Sequence, residues 1–180
     1  MKDPEIISGC AKGDRKCQKF LWDKFSKKLF SVTQRYMQSS EDAEDVLIEA
    51  FVKIYNSIGK FQNKSSLETW MRRIVINESL NKLRARKSIY ETDVYEVRQI
   101  SFDDKAFDSL QVDEICKLIQ NLPDGYRTVF NMFAIDGYSH KEISEKLGIQ
   151  EGSSRSQLAK ARQSLMMSLN ALNKYKKTEL

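Results

Sequence analysis

The stretch EGSSRSQLAKARQSL, residues 151–165, carries side chains that suit contact with nucleic acid. With Leu158 facing inward and about 100° per residue, Ser154, Ala161, Leu165, Leu169 and Leu172 share its face. Ser156, Ala159, Lys160 and Gln163 then point outward, with Arg155 and Arg162 at the margins. Small outward residues let a helix enter a groove deeply. Lys, Gln and Ser can reach base edges, and flanking arginines can meet phosphates.

Such a helix needs a support that sets its angle. Just upstream, YSHKEISEKLGIQ supplies a Ser139/Glu142 capping box, with Tyr138 placed as a hydrophobic staple toward Ile143. Gly148 can take the left-handed conformation that ends this short helix, and a second helix begins around Glu151. Ile143, Leu147 and Ile149 are its inward residues. Two helices around a glycine-bearing turn, the second with a basic outer surface, describe a helix-turn-helix. An amphipathic hairpin with a solvated face is the plainer alternative. Capping box, turn glycine, basic margin and small outward residues together favour DNA binding.

Other chemistries fit poorly. His140 is the lone histidine, and Cys10, Cys17 and Cys116 include no C-x-x-C pair. Neither a metal site nor a hydrolase triad is expected, and no cofactor; the thiols read as buried and reduced. No glycine-rich phosphate loop occurs, so the chain does not read as an enzyme. No run of eighteen apolar residues suggests a membrane span, and without a signal-peptide pattern at the N-terminus the chain reads as cytoplasmic.

The 180 residues allow one ordinary domain or two small ones. The net charge of +5 is unevenly spread: +2 over residues 1–60, +5 over 61–88, −6 over 89–124 and +4 over 125–180. Two basic blocks around an acidic stretch suit two surfaces that face a polyanion, with a connector it repels. Only 2 prolines and 7 glycines favour helices over a turn-rich sheet.

Helical spacing fills both blocks. Asp3-Pro4 can open a first helix, Gly13 stops it, and Asp14 can cap the next, with Cys17, Phe20, Leu21, Phe25, Leu29, Val32 and Tyr36 in register. SSEDAEDVLIEAFVKIYNSIG follows, with Ala43, Val46, Leu47, Ala50, Phe51, Ile54 and Ile58 as an apolar stripe. Its first turns hold Glu41, Asp42, Glu44, Asp45 and Glu49, where the helix dipole favours acids. After the polar loop QNKSS, LETWMRRIVINESLNKLRARK turns Leu67, Met71, Ile74 and Leu83 inward and leaves a polar, basic remainder. Periodicity is lost from 88 to about 111, then resumes at Val112, Ile115, Ile119 and Leu122. It continues through Tyr126, Val129, Phe130 and Phe133 to end near Gly137. The reading is an all-α chain of two small helical domains, 1–88 and 112–174, joined by an acidic linker over 89–111, with a tail at 175–180. The C-terminal domain is the helix-turn-helix.

These segments resemble a known family. LPDGYRTVFNMFAIDGYSHKEISEKLGIQEGSSRSQLAKARQSL is similar to the promoter-reading domain of bacterial extracytoplasmic-function sigma factors of the sigma-70 family. DAEDVLIEAFVKIYNSIGKF followed by ETWMRRIVINESLNKLRARK resembles the N-terminal domain of the same family. The likeness covers about residues 5–90 and 112–172. It implies a non-enzymatic subunit that directs core RNA polymerase to promoter DNA, monomeric when free and held by an anti-sigma factor, frequently membrane-bound. Asp42, Asp45 and Glu49 would meet polymerase, with Phe51 packing beneath them. Asn63, Ser65 and Ser66 of the loop would hold a flipped base of the minus-ten element, with Trp70 supporting the pocket. Arg73 and Asn77 would contact the opened element, and Lys82, Arg84, Arg86 and Lys87 would follow its backbone. Arg155, Ser156, Ala159, Lys160 and Arg162 would read the minus-thirty-five element.

The chain departs from the family pattern at Ser154, where an aliphatic residue is usual and a looser reader helix is expected. Ala159 and Lys160 replace residues often seen there, and Gln150 is a poor cap. Two other readings stay open on sequence: a free-standing regulator that dimerises on a palindrome, and a helical interaction protein or enzyme with an incidental basic surface.

Overall fold

The computed structural model describes residues 3–85 and 112–178. The expected linker at 89–111 lies outside the described residues, as do Arg86 and Lys87. Eight α-helices form among the described residues, divided between two compact units, Met1–Arg86 and Lys87–Leu180.

In the first unit, α1 (Asp3–Ala11), α2 (Arg15–Tyr36), α3 (Ser40–Ser57) and α4 (Leu67–Ala85) follow in order. Asp14 caps α2 by accepting the Lys16 N–H, which holds its carboxyl below the usual range. Ser39 caps α3 by accepting the Asp42 N–H. A tight turn at Ile58–Lys60, which contains the glycine expected as the stop, follows the end of α3 at Ser57. Helices α2, α3 and α4 each pack against the other two. The α3 stripe is buried as its spacing predicts, from Ala43 through Ile58. Each large aliphatic side chain so covered contributes about 1.5–3 kcal/mol. Helix α1 lies close on α2: a Cβ at Gly9 would sit 2.2 Å from the Cys17 sulfur, so only glycine fits.

Two expectations for this unit change. Phe20 is exposed, because α2 turns its Leu21 side to the core and leaves Phe20 beyond the edge of that face. Helix α4 buries far more than four positions: Val75, Ile76, Glu78, Ser79 and Leu80 join Leu67, Met71 and Leu83, while Ile74 is half-buried. A helix packed against both α2 and α3 needs two covered sides, and a single stripe underestimates it.

The second unit holds α5 (Val112–Gln120), α6 (Asp124–Phe130), α7 (His140–Leu147) and α8 (Glu151–Thr178). Helix α8 continues past the expected domain end at 174. A wide turn at Asn131–Ile135 extends α6, with Asp136 donating to the Asn131 carbonyl at 2.9 Å. Ile119, Leu122, Ala161 and Leu165 form the core between α5 and α8, flanked by Tyr126 and Phe130. Tyr126, Phe130 and Phe133 are only half-buried. Arg127 is fully buried instead, with Thr128 and Met132. Its Nη1 donates to the carbonyls of Gln120 at 3.0 Å and Leu122 at 2.9 Å, and Nη2 pairs with Asp124. Carbonyls at a helix end have no partner within the helix, and the guanidinium supplies one.

The thiols divide. Cys10 and Cys17 are buried, and burial pushes Cys10 up to about 11 and raises Cys17, so neither forms a ready thiolate. Cys116 is exposed, contrary to expectation, because α5 is covered on one face only and Cys116 falls beside Lys117 on the other.

Candidate nucleic-acid interface

The helix-turn-helix forms where its signals stand. Ser139 and Glu142 make a complete capping box, Ser139 N–H donating to Glu142 Oε2 at 2.8 Å and Glu142 N–H to Ser139 Oγ at 3.3 Å. Gly148 has φ +68°, the left-handed conformation that ends α7, and donates to the Ser144 carbonyl at 2.9 Å.

Ser154 is fully buried, and its hydroxyl lies 2.9 Å from His140 Nδ1. The His140 ring stacks on Phe133, with centroids 4.5 Å apart. The hydroxyl that stands where an aliphatic side chain is usual is therefore partnered within the fold. Burial, then the Arg155 charge, lowers the His140 pKa and favours the neutral ring.

The outer face of α8 is turned relative to the sequence reading. Gln157 is buried beside Ser154, Leu158 and Ala161, which rotates the inward direction from Leu158 toward Gln157 by roughly 40° at 100° per residue. Arg155 and Arg162 move outward with this turn and stand exposed, as does Ser156. Ala159 and Lys160 are half-covered, and the Lys160 ammonium lies 6.0 Å from the centroid of the Tyr126 ring. Arg155 pairs with Glu151 one turn back while its side chain stays 64% exposed, so a phosphate can compete for it.

On the first unit, Trp70, Arg73, Asn77, Asn81 and Arg84 recur at i, i+3, i+7, i+11 and i+14 along α4. They fall within an arc of about 80°. Arg73, Asn77, Asn81 and Arg84 are exposed and Trp70 half-buried, its ring 5.4 Å from that of Phe61. Lys82 lies off this stripe and reaches across to Asp45 on α3 at 3.6 Å. In the loop, Asn63 is exposed at φ +54°, and Ser65 is half-buried with its hydroxyl donating to the Ser66 carbonyl at 3.3 Å. Ser66 is engaged at the start of α4, accepting the Thr69 N–H at 3.1 Å.

The acidic face of α3 keeps Asp45 and Glu49 exposed, whereas Asp42 shares its carboxylate with the Ser39 cap. Phe51 is 2% exposed, against Trp22 at 4.5 Å and Tyr55 at 5.8 Å between ring centroids. It can support this face but not touch a partner. The exposed apolar residues here are Ile48 and Val52, one turn apart and 55% and 53% exposed, which the sequence reading passed over. Their i, i+4 spacing beyond the edge of the buried stripe was the available signal. No group of acids, thiols and imidazole among the described residues is arranged to hold a metal, and none of the described helices is long and apolar enough to cross a membrane.

Comparison with known proteins agrees with this division. The model of "Sigma-70 region 2" matches residues 21–89, and that of "Sigma-70, region 4" matches residues 112–165. The chain is 26% identical to the RNA polymerase sigma-H factor of Pseudomonas aeruginosa over 185 residues, covering 95% of each. It is 28% identical to the ECF RNA polymerase sigma-E factor of Escherichia coli K12 over 178 residues, covering 92% of this chain and 93% of the relative. Among solved structures, the sigma factor RpoE in complex with the anti-sigma factor NepR, from Bartonella quintana, is similar in fold. Its TM-score is 0.53 at 20% identity, covering 84% of this chain and 96% of that one.

Proposed function

Because the chain belongs to the sigma-70 family, with region 2 in its first unit and region 4 in its second, we propose that it is an extracytoplasmic-function sigma factor. It directs core RNA polymerase to particular promoters and helps open them. The observation that carries this reading is that both regions occur in one chain, in this order, over nearly the whole length of full-length relatives. The chemistry of polymerisation belongs to the partner enzyme, and the protein works in the cytoplasm, where that enzyme is.

The division of labour follows the surfaces. Residues 1–88 bind polymerase and handle the minus-ten element, 89–111 connect, and 112–174 read the minus-thirty-five element, with 175–180 as a tail. On α8, Arg155, Ser156 and Arg162 make the leading DNA contacts, with the half-covered Ala159 and Lys160 beside them. On α4, the stripe of Trp70, Arg73, Asn77 and Arg84 follows the opened strand, and Asn63 and Ser65 of the loop meet an extruded base. Unstacking a base costs a few kcal/mol, which these polar groups and the Trp70 ring help to offset. Ser66 acts through the helix start it caps, and Lys82 from beside Asp45. Asp45 and Glu49 meet basic polymerase groups around the apolar pair Ile48 and Val52, with Asp42 and Phe51 holding that face in shape.

An anti-sigma factor is the expected restraint, in keeping with the NepR complex of the structural neighbour. The protein is a monomer when free. Run-off transcription with core polymerase and a genomic promoter pool tests the reading. Discrete transcripts that depend on the protein are expected. A dimer that binds duplex tightly and ignores polymerase would overturn it.

A further inference from the structure

Between α3 and α4 of the first unit lies an open cavity of about 400 Å3, lined by Lys53, Asn56, Ser57, Ile74, Asn77 and Glu78. Glu78 is unexpected on a surface that faces a polyanion. It is 6% exposed, yet an apolar side chain of similar volume would serve packing as well or better than a buried charge. Its Oε2 meets the Lys53 ammonium at 2.6 Å, and its Oε1 accepts from Asn81 Nδ2 at 3.1 Å. A carboxylate has two acceptor positions on each oxygen, so one remains on each.

The other walls complete a recognisable pattern. Asn56 and Asn77 bring amides that both donate and accept. Ile74 offers an apolar surface for a flat ring. The Lys53 side chain is more than half exposed, so its ammonium also offsets the repulsion between Glu78 and a nearby phosphate. Asn77 belongs both to this lining and to the stripe of Trp70, Arg73 and Arg84, so a strand following the stripe passes the opening.

Unpaired bases are read by hydrogen bonds to their Watson–Crick edges. Guanine presents two adjacent donors there, N1–H and the N2 amino group, which match the two oxygens of one carboxylate. Its O6 lies alongside, where Lys53 or an amide can donate. Adenine and cytosine place an amino group beside an acceptor, and thymine has one N–H between two carbonyls. We infer that this cavity receives an unpaired guanine of the opened promoter strand, with Glu78 as the reading residue. This rests on the reading of the first unit as the part that handles the opened strand.

The test uses the full chain assembled with core polymerase and a pool of short single-stranded DNAs randomised in sequence. Wild-type protein enriches guanine at one position. Replacing that guanine by inosine, which lacks the N2 amino group, weakens binding about tenfold. Glu78→Gln abolishes the guanine-over-inosine preference and leaves preferences at other positions in place. Asn56→Ala, a change at an exposed residue, weakens guanine binding while the thermal melt is unchanged. Absence of guanine enrichment, equal binding of guanine and inosine by the wild type, or an undiminished preference in Glu78→Gln overturns the inference. The inosine comparison needs no variant, so a folding defect in Glu78→Gln leaves the outcome decisive. Protein-dependent initiation without a guanine preference removes this inference alone; loss of initiation by the wild-type protein removes the reading beneath it too.

Discussion

Replacing Arg127 by methionine should strongly destabilise the second unit while leaving the first intact. The guanidinium has no exposed surface, donates to two carbonyls at the α5 end, and pairs with Asp124, itself 22% exposed. Methionine keeps most of the stem's packing but leaves both carbonyls and a partly covered carboxylate without this partner. Each stranded buried polar group costs about 1–3 kcal/mol, and breaking a buried pair from one side costs about 3–5 kcal/mol. With overlap among these, a loss of about 3–5 kcal/mol is expected. At 4–8 °C per kcal/mol for a domain of 60–100 residues, the melting of this unit falls by more than about 12 °C. A module of this size has a total stability of about 3–9 kcal/mol, so the loss removes about a third of it or more, and all of it at the lower end of that range. Thermal denaturation followed by the helical circular-dichroism signal, with duplex binding measured alongside, gives the answer. A loss under about 1 kcal/mol would refute the reasoning. Asp124→Asn should cost less, because the two carbonyl contacts survive.

Other outcomes are equally specific. The lowered His140 pKa means that the unfolded chain takes up a proton first as pH falls, so a part of the second unit's stability is lost as pH drops below about 6.5; His140→Gln should flatten that dependence in denaturant titrations. If the two domains together neutralise roughly six phosphates, affinity falls with log salt at a slope near −5, and alanine at Arg155 or Arg162 reduces it by about 1 each. Lys160→Ala should change the slope less, since Lys160 stands partly over Tyr126. Aspartate at Ile48 or Val52 should weaken polymerase binding at least tenfold in co-elution or titration, with a melting temperature within about 2 °C of wild type, because both side chains are already exposed.

The elements that position the site were legible because their signals are local. Ser139, Glu142 and Gly148 mark both ends of α7 within ten residues, and the α3 stripe repeats without interruption. The same locality explains the misses. Arg127 carries no local signal of burial, because the carbonyls it closes are brought beside it only by the fold. Glu78 and Ser79 read as outward because one stripe cannot describe a helix flanked on two sides. The turn of α8 depended on Gln157, whose polarity argues for solvent although its neighbours cover it. Ser66 was assigned to a base although its spacing to Thr69 also fits a helix cap. Position 154 carried the opposite lesson: serine there implied a defect, and its partner His140 lies fourteen residues upstream.

That serine has a mechanical result. Greasy contacts tolerate slippage, since one methyl can slide past another at little cost, whereas a hydroxyl held 2.9 Å from an imidazole nitrogen is satisfied in one orientation only. Spinning α8 about its axis by 10° would carry a side-chain tip, about 6 Å from that axis, through about 1 Å. The Ser154 tether resists that spin one residue before Arg155, so the reader helix is indexed on its bed like a keyed shaft.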